Sequence, residues 1–139
     1  MDKTELIADV ARNELFQFLG IEIELATAER VVLKMEVTPK VHQYVGIMNG
    51  GVSLYLCETA ASIGVVAGAD LTKVTPVGIE INANHLRAVS KGILTVEATP
   101  LHSGRTMSVW KIEITNDRGK LVCTSRLTML IQKRVAYQP

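Results

Sequence analysis

Cysteine is almost missing from this chain, with two in 139 residues, Cys57 and Cys123. Two cysteines this far apart form neither a disulfide framework nor a C-x-x-C metal knuckle, and each lies in an apolar segment, so both read as small buried hydrophobes. Histidine is as sparse: His42, His85 and His102 are widely spaced, no H-x-x-x-H frames them, and no metal or cofactor is expected. Aromatic residues make up 4% of the chain, and 15 basic residues nearly balance 14 acidic ones for a net charge of +1. With no basic run and no aromatic-basic interleaving, nucleic acid is not an expected partner. The opening M-D-K-T-E-L-I-A-D-V carries acids and lacks the basic and continuous apolar regions of a secretory signal, which places the chain in the cytoplasm. The one long apolar run, Val52 to Ala69, nearly reaches the length of a bilayer span. Its central glutamate and small residues instead favour the buried helix of a soluble protein, and no membrane is expected. Repeats, low-complexity stretches and linkers are absent, residues Val135 to Pro139 read as a tail, and residues 1–139 read as a single domain.

What is present is enough apolar material for a core, 47% of the chain, and one isolated charge. Glu58 is the only charged side chain between Gly46 and Ala69. Surrounded by Leu54, Leu56, Ala60, Ala61, Ile63 and Val65, it is expected to be partly desolvated, and a desolvated carboxylate needs either a partner or a task. A structural carboxylate held by backbone donors or an arginine is the alternative to chemistry, and Glu58 alone does not choose between them.

Hydrophobic periodicity organises the rest. Leu6, Ile7, Val10, Ala11, Leu15, Phe16 and Leu19 have helical spacing, predicting one packing helix from Glu5 to Leu19 with a stop at Gly20. Alternation at Ile21, Ile23, Leu25 and again at Val31, Leu33, Met35, Val37 predicts paired strands turning near Thr27 to Glu29. A loop from Pro39 to Met48 leads to Gly50-Gly51, and from Val52 the chain is apolar on all sides, the pattern of a helix buried mid-domain. Four further strands follow: Val77 to Ala83, Leu94 to Ala98, Trp110 to Ile114, and Leu121 to Ile131 after the hairpin signal Asn116-Asp117-Arg118-Gly119. The last three form a meander. The layout is α+β, an antiparallel sheet wrapped around one long buried central helix. Oligomerisation is expected, because a strand as apolar as Leu121 to Ile131 otherwise leaves a patch in water.

That order of elements, with G-I-M-N-G-G at the start of the helix and Glu58 two turns inside it, resembles the hotdog-fold thioesterases of the phenylacetate-degradation type. Through V-G-I-E-I-N-A-N-H-L-R, P-L-H-S-G-R and S-R-L-T the likeness is to the bacterial hydrolases of 1,4-dihydroxy-2-naphthoyl-CoA in menaquinone synthesis and the proofreading thioesterase of enterobactin synthesis. The resemblance implies an acyl-CoA or acyl-carrier thioesterase, a homodimer assembling to a homotetramer with sites at subunit interfaces. It makes Glu58 the catalytic carboxylate, as general base or nucleophile, and the Gly50 amide the donor that polarises the thioester carbonyl. It also makes Gln43 an orienting amide and Ser62 a supporting hydroxyl. A backbone N–H at a helix start suits an oxyanion, and Ser62 lies four residues after Glu58 on the same helical face. Where the family usually has histidine, this chain has Asn49, which offers an amide and a helix cap but no positive charge.

For the coenzyme A half, the resemblance points to Gly78, His85, Leu86, Arg87 and Ala88 together with His102, Ser103, Gly104, Arg105 and Thr106; the two guanidinium groups suit phosphate. Tyr55, Met48 and Val66 are the side chains expected to shape the acyl pocket. Two alternatives stand beside the thioesterase: a non-catalytic acyl-CoA-binding or regulatory protein, and an acyl-thioester dehydratase. Retention of Glu58, Gln43, Gly50 and Ser62 argues against the first, and the lack of a histidine in the helix argues against the second.

Overall fold

The computed structural model describes residues 3–136; Met1, Asp2 and Tyr137 to Pro139, the last three belonging to the expected tail, lie outside it. The elements run α1 (Lys3–Arg12), α2 (Glu14–Phe18), β1 (Glu22–Ala26), β2 (Val31–Val37), a single 3-10 turn (Pro39–Val41), α3 (Gly50–Gly68), β3 (Val74–His85), β4 (Gly92–Ser103), β5 (Met107–Thr115) and β6 (Leu121–Lys133). All six strands join one antiparallel sheet in the order β1-β2-β4-β5-β6-β3. This is the α+β hotdog layout, with the sheet curled around α3.

The N-terminal segment differs from its expected form. Asn13 interrupts the single helix: its side chain accepts hydrogen bonds from the N–H groups of Leu15 (3.1 Å) and Phe16 (3.3 Å), capping a new short helix. Asparagine competes for backbone donors in this way, which is why it favours caps over helix interiors. The break turns Phe16 and Leu19 into the core while α1 buries none of its residues.

The core lies between α3 and the inner face of the sheet. Leu56, Cys57, Ala60, Ala61, Ile63 and Val65 pack against Leu94, Val96, Trp110, Ile112, Ile114 and Leu127. Gly64 sets the closest approach, since a Cβ there would lie 2.2 Å from the Trp110 ring. Ser108 accepts the indole N–H at 2.9 Å, so the buried tryptophan is satisfied. Cys57 and Cys123 are free and buried in this core. The interaction with Cys123 and then burial push the Cys57 thiol well above its ordinary range. Among helices of the described residues, only α3 is long and apolar enough to cross a membrane, and its buried residues help fill this core.

The structure corrects one expectation about apolar faces and narrows another. Helix α3 is covered by the sheet on one side only, leaving Glu58 exposed and Tyr55, Thr59, Ser62 and Val66 half-buried on the other. Strand β6 has a mixed outer face: Thr124, Arg126 and Thr128 face out, and so does Leu130, opposite Met107 of β5 and Val77 of β3, while Cys123, Ser125, Leu127 and Met129 turn inward. The other exposed feature of the sheet is the edge strand β3. It has twelve residues, its outer side is unpaired, and Ile79 is 54% exposed. An edge this long is a template for another strand.

Candidate functional site

Asn49 begins the site by capping α3. Its Oδ1 accepts the Gly51 N–H at 2.8 Å and its carbonyl accepts the Val52 N–H at 3.0 Å. The Gly50 N–H is taken by neither, and the first amides of a helix have no intrahelical acceptor. The helix start is itself anchored, because the Asn49 N–H bonds Val41 and the Met48 N–H bonds Val89. The ring of His85, the last residue of β3, lies directly over Gly50: a Cβ on Gly50 would sit 2.9 Å from His85 Nε2. Gln43 completes this end. Its carboxamide oxygen is occupied by the Val45 N–H at 2.8 Å, so the group it has to offer a ligand is its NH2. Gln43, Gly50, His85, Leu86, Arg87 and Ala88 line one cavity of about 340 Å³, which also receives Met48.

Glu58 sits elsewhere. Eight residues along the helix from Gly50, it is displaced by roughly 12 Å along the axis, and it faces β3 at Gly78, where a Cβ would lie 2.6 Å from Glu58 Oε1. A β-bulge explains how that contact arises. Counting back from His85, the residues facing the helix are His85, Ala83 and Ile81, opposite Cys123, Ser125 and Leu127. Strict alternation would then present Ile79, but the register shifts between Gly78 and Glu80, and Gly78 faces inward opposite Met129. The bulge thus exchanges a branched side chain for none at all, and the carboxylate occupies the space. No ion pair or hydrogen bond to the Glu58 carboxylate forms among the described residues, which removes the structural-carboxylate explanation within one chain. The desolvation expected for Glu58 is also absent in one chain: the side chain is exposed.

Glu58 and Ser62 open on a second cavity, of about 720 Å³, lined by α3 residues that include Tyr55, Thr59 and Val66 and by Leu6, Ile7 and Val10 of α1. No bond links Ser62 to the Glu58 carboxylate among the described residues. The apolar spacing of α1 marks a packing helix, and Ile7, Val10 and Ala11 do rest against the core; that the same stripe lines this cavity is not legible in the spacing. Of the three side chains expected to shape an acyl pocket, Tyr55 and Val66 border Glu58 while Met48 borders Gly50.

The coenzyme A candidates are divided too. His102, Ser103, Gly104, Arg105 and Thr106 make the β4–β5 hairpin, closed by Gly104 N–H to Met107 O at 2.8 Å and tied to β6 by Ile131 N–H to Thr106 O at 2.8 Å. His85 is paired with Cys123 and Met107 with Leu130 on the same strand, so the two groups stand roughly 23 Å apart along β6. The His102 ring folds over Gly104, where a Cβ would meet Nε2 at 2.7 Å. Arg87 and Arg105 are exposed and form no ion pair among the described residues. Nor does any group of three or more histidine, cysteine, aspartate or glutamate residues come together there to hold a metal.

Comparison with known proteins gives a consistent result. The family model described as the thioesterase superfamily matches residues 45–123, from the loop before α3 through the start of β6. The 1,4-dihydroxy-2-naphthoyl-CoA hydrolase of Listeria monocytogenes is 42% identical over 120 residues, covering 86% of this chain and 97% of that protein. A crystal structure of a mutant thioesterase from Pseudomonas aeruginosa superposes with a TM-score of 0.87 at 35% identity, covering 96% of each chain. A thioesterase of Streptococcus pneumoniae solved with coenzyme A superposes with a TM-score of 0.74 at 27% identity, covering 84% of this chain and 88% of that one. With over half its length inside the family model and a relative this similar along nearly the whole chain, the protein belongs to the thioesterase superfamily and is a thioester hydrolase of the hotdog fold.

Proposed function

We propose that the chain hydrolyses an aromatic or medium-size acyl-CoA, with 1,4-dihydroxy-2-naphthoyl-CoA as the leading candidate, at a site built from two copies. The observation that carries this reading is the placement of Glu58 against Gly78 and of Gly50 against His85, at two points along one unpaired strand edge. In one chain these halves do not meet. An antiparallel second copy of β3 reverses the strand. With a two-fold axis at Asn82, Ile81 pairs with Ala83 of the second copy, Glu80 with Asn84, and, across the bulge at Ile79, Gly78 with His85. Directly opposed residues share a face in an antiparallel pair, and this register satisfies that rule on both sides of the bulge. Glu58 of one copy then lies beside Gly50 of the other, covered by a partner that desolvates it.

In that arrangement the Gly50 N–H and the positive end of α3 stabilise the oxyanion on the thioester carbonyl. Glu58 either takes a proton from the attacking water or attacks the carbonyl itself to form an anhydride that water opens. The tetrahedral adduct expels the coenzyme A thiolate, which accepts the proton as free thiol. A thiol of ordinary acidity leaves without a strong general acid, consistent with Asn49 in place of a histidine. Arg87 and Arg105 supply guanidinium groups for the phosphates of coenzyme A.

The test is steady-state hydrolysis of benzoyl-, dihydroxynaphthoyl-, phenylacetyl-, hexanoyl- and palmitoyl-CoA by wild type and Glu58→Gln, reading released thiol. Glu58→Gln is expected to lower kcat by roughly 10²- to 10⁴-fold without loss of folding, as removal of a base or nucleophile at constant volume does. Wild-type rates in the variant reject the role of Glu58, and no turnover of any aryl thioester by wild type rejects the substrate class.

A further inference from the structure

The cavity beside Glu58 has an outer wall, helix α1, that meets the core only at its edge. Helix α1 is amphipathic, yet none of its residues is buried. Leu6, Ile7 and Val10 stay half-buried along the 720 Å³ hollow, with Ile7 and Val10 resting against the edge of the core. Burying the rest of that apolar surface is worth about 25 cal/mol per Å², which an apolar occupant of the hollow supplies. The helix is anchored at its ends. At one end Lys3 Nζ donates to the Ala67 carbonyl near the end of α3 at 3.0 Å. At the other, the Asn13 cap redirects the chain so that Phe16 and Leu19 enter the core.

The chemistry of the lining selects the occupant. Among the described residues the charged groups at the cavity are Glu58 and Asp9, and Asp9 is paired with Arg12 on the surface of α1. What remains is an apolar slot with a few hydroxyls, of a size typical of small-molecule sites, opening at one point on the carboxylate. A thioester at Glu58 has two arms. The phosphate-bearing arm has no cation in this slot to meet it, whereas the acyl arm is apolar and begins at the attacked carbonyl.

We infer that the α1–α3 cavity receives the acyl group, and that Leu6, Ile7 and Val10 of α1 set the size of acyl group the enzyme accepts. This rests on the assignment of Glu58 as the group that acts on the thioester. Because no α1 side chain is fully buried, these side chains can be exchanged without dismantling the sheet, which makes α1 the adjustable wall.

Two independent readouts test it on the intact chain. The first is the ratio of kcat/KM for decanoyl-CoA to that for acetyl-CoA in wild type, Val10→Trp and Leu6→Ala. Filling the slot with Val10→Trp is expected to lower this ratio at least tenfold, and Leu6→Ala to move it in the opposite direction; a ratio within twofold of wild type in both variants overturns the inference. The second, calorimetric binding of S-(naphthylmethyl)-coenzyme A against free coenzyme A, needs no turnover. Val10→Trp should weaken the thioether about tenfold and leave free coenzyme A within twofold; equal affinities of wild type and variant for the thioether overturn the inference. If wild type hydrolyses no thioester but the thioether increment is lost in Val10→Trp, the hydrolytic assignment of Glu58 fails while the acyl wall stands.

Discussion

Gly78→Ala isolates the contact that positions the carboxylate. The new Cβ would lie 2.6 Å from Glu58 Oε1, where ordinary contact begins at 3.4 Å, while its other neighbour, Leu127 Cδ1 at 3.7 Å, is unaffected. The backbone of Gly78 is outside the left-handed region, so alanine brings no strain of its own. The conflict is therefore relieved at the flexible end of Glu58, which must retreat by about 0.8 Å, and a misplacement of that order at a reacting centre costs roughly 10- to 100-fold in rate. That corresponds to about 1.4–2.7 kcal/mol of transition-state stabilisation. The assay is kcat on an aryl-CoA with a thermal melt alongside, for Gly78→Ala, Glu58→Gln and the double variant. We expect kcat to fall in Gly78→Ala with no drop in Tm, because replacing glycine at a compatible backbone position restricts the unfolded chain. In the Glu58→Gln background the further loss should be small, since residues acting as one unit are not additive. A full, additive cost in the double variant would place the effect of Gly78 on coenzyme A and refute the positioning argument; an unchanged kcat in the single variant would refute it outright.

Three further outcomes are expected. Asn82→Cys, opposed to itself at the proposed two-fold axis with the Cα spacing of an antiparallel pair, should give an oxidisable dimer on non-reducing gels; failure to cross-link under oxidation argues against that register. Gly64→Ala should destabilise the protein by about 1–3 kcal/mol in denaturant titration, because its Cβ would lie 2.2 Å from a rigid tryptophan ring in a filled core, and a stability equal to wild type would show that the helix–sheet spacing is adjustable. The buried thiols Cys57 and Cys123 should resist a thiol reagent at pH 8 until denaturant is added, Cys57 because the Cys123 contact and burial hold it protonated; rapid reaction in the native state would contradict the packing.

The strands and the long helix were legible because their signals are local. Alternation at Val31 to Val37 and the Asn116 to Gly119 turn carry their own geometry, and Asn116 Oδ1 indeed closes that turn on the N–H groups of Arg118 and Lys120. The helix break was missed because apolar periodicity runs unbroken through Asn13, and only the competition of its side chain for the Leu15 and Phe16 amides reveals the cap. The outer patch on β6 is narrower than the apolar stretch for a similar reason: a continuous apolar stretch does not say which residues face out, and the register sends the polar Thr124, Arg126 and Thr128 there along with Leu130. Glu58 was conspicuous by its isolation, and so were the small residues that begin α3.

Sequence alone determined the order of the strands and the long helix, the family likeness and the presence of one unmatched carboxylate in an apolar helix, since residue type and spacing along the chain specify these. Only the tertiary structure decided that Glu58 faces Gly78 while Gly50 faces His85, that α1 and α3 border an apolar hollow, and that β3 lies at an open edge. Those depend on a strand crossing to the far side of the sheet and on a single bulge residue. The energies that settle them are long-range packing and pairing between segments far apart in the chain, which no local pattern encodes.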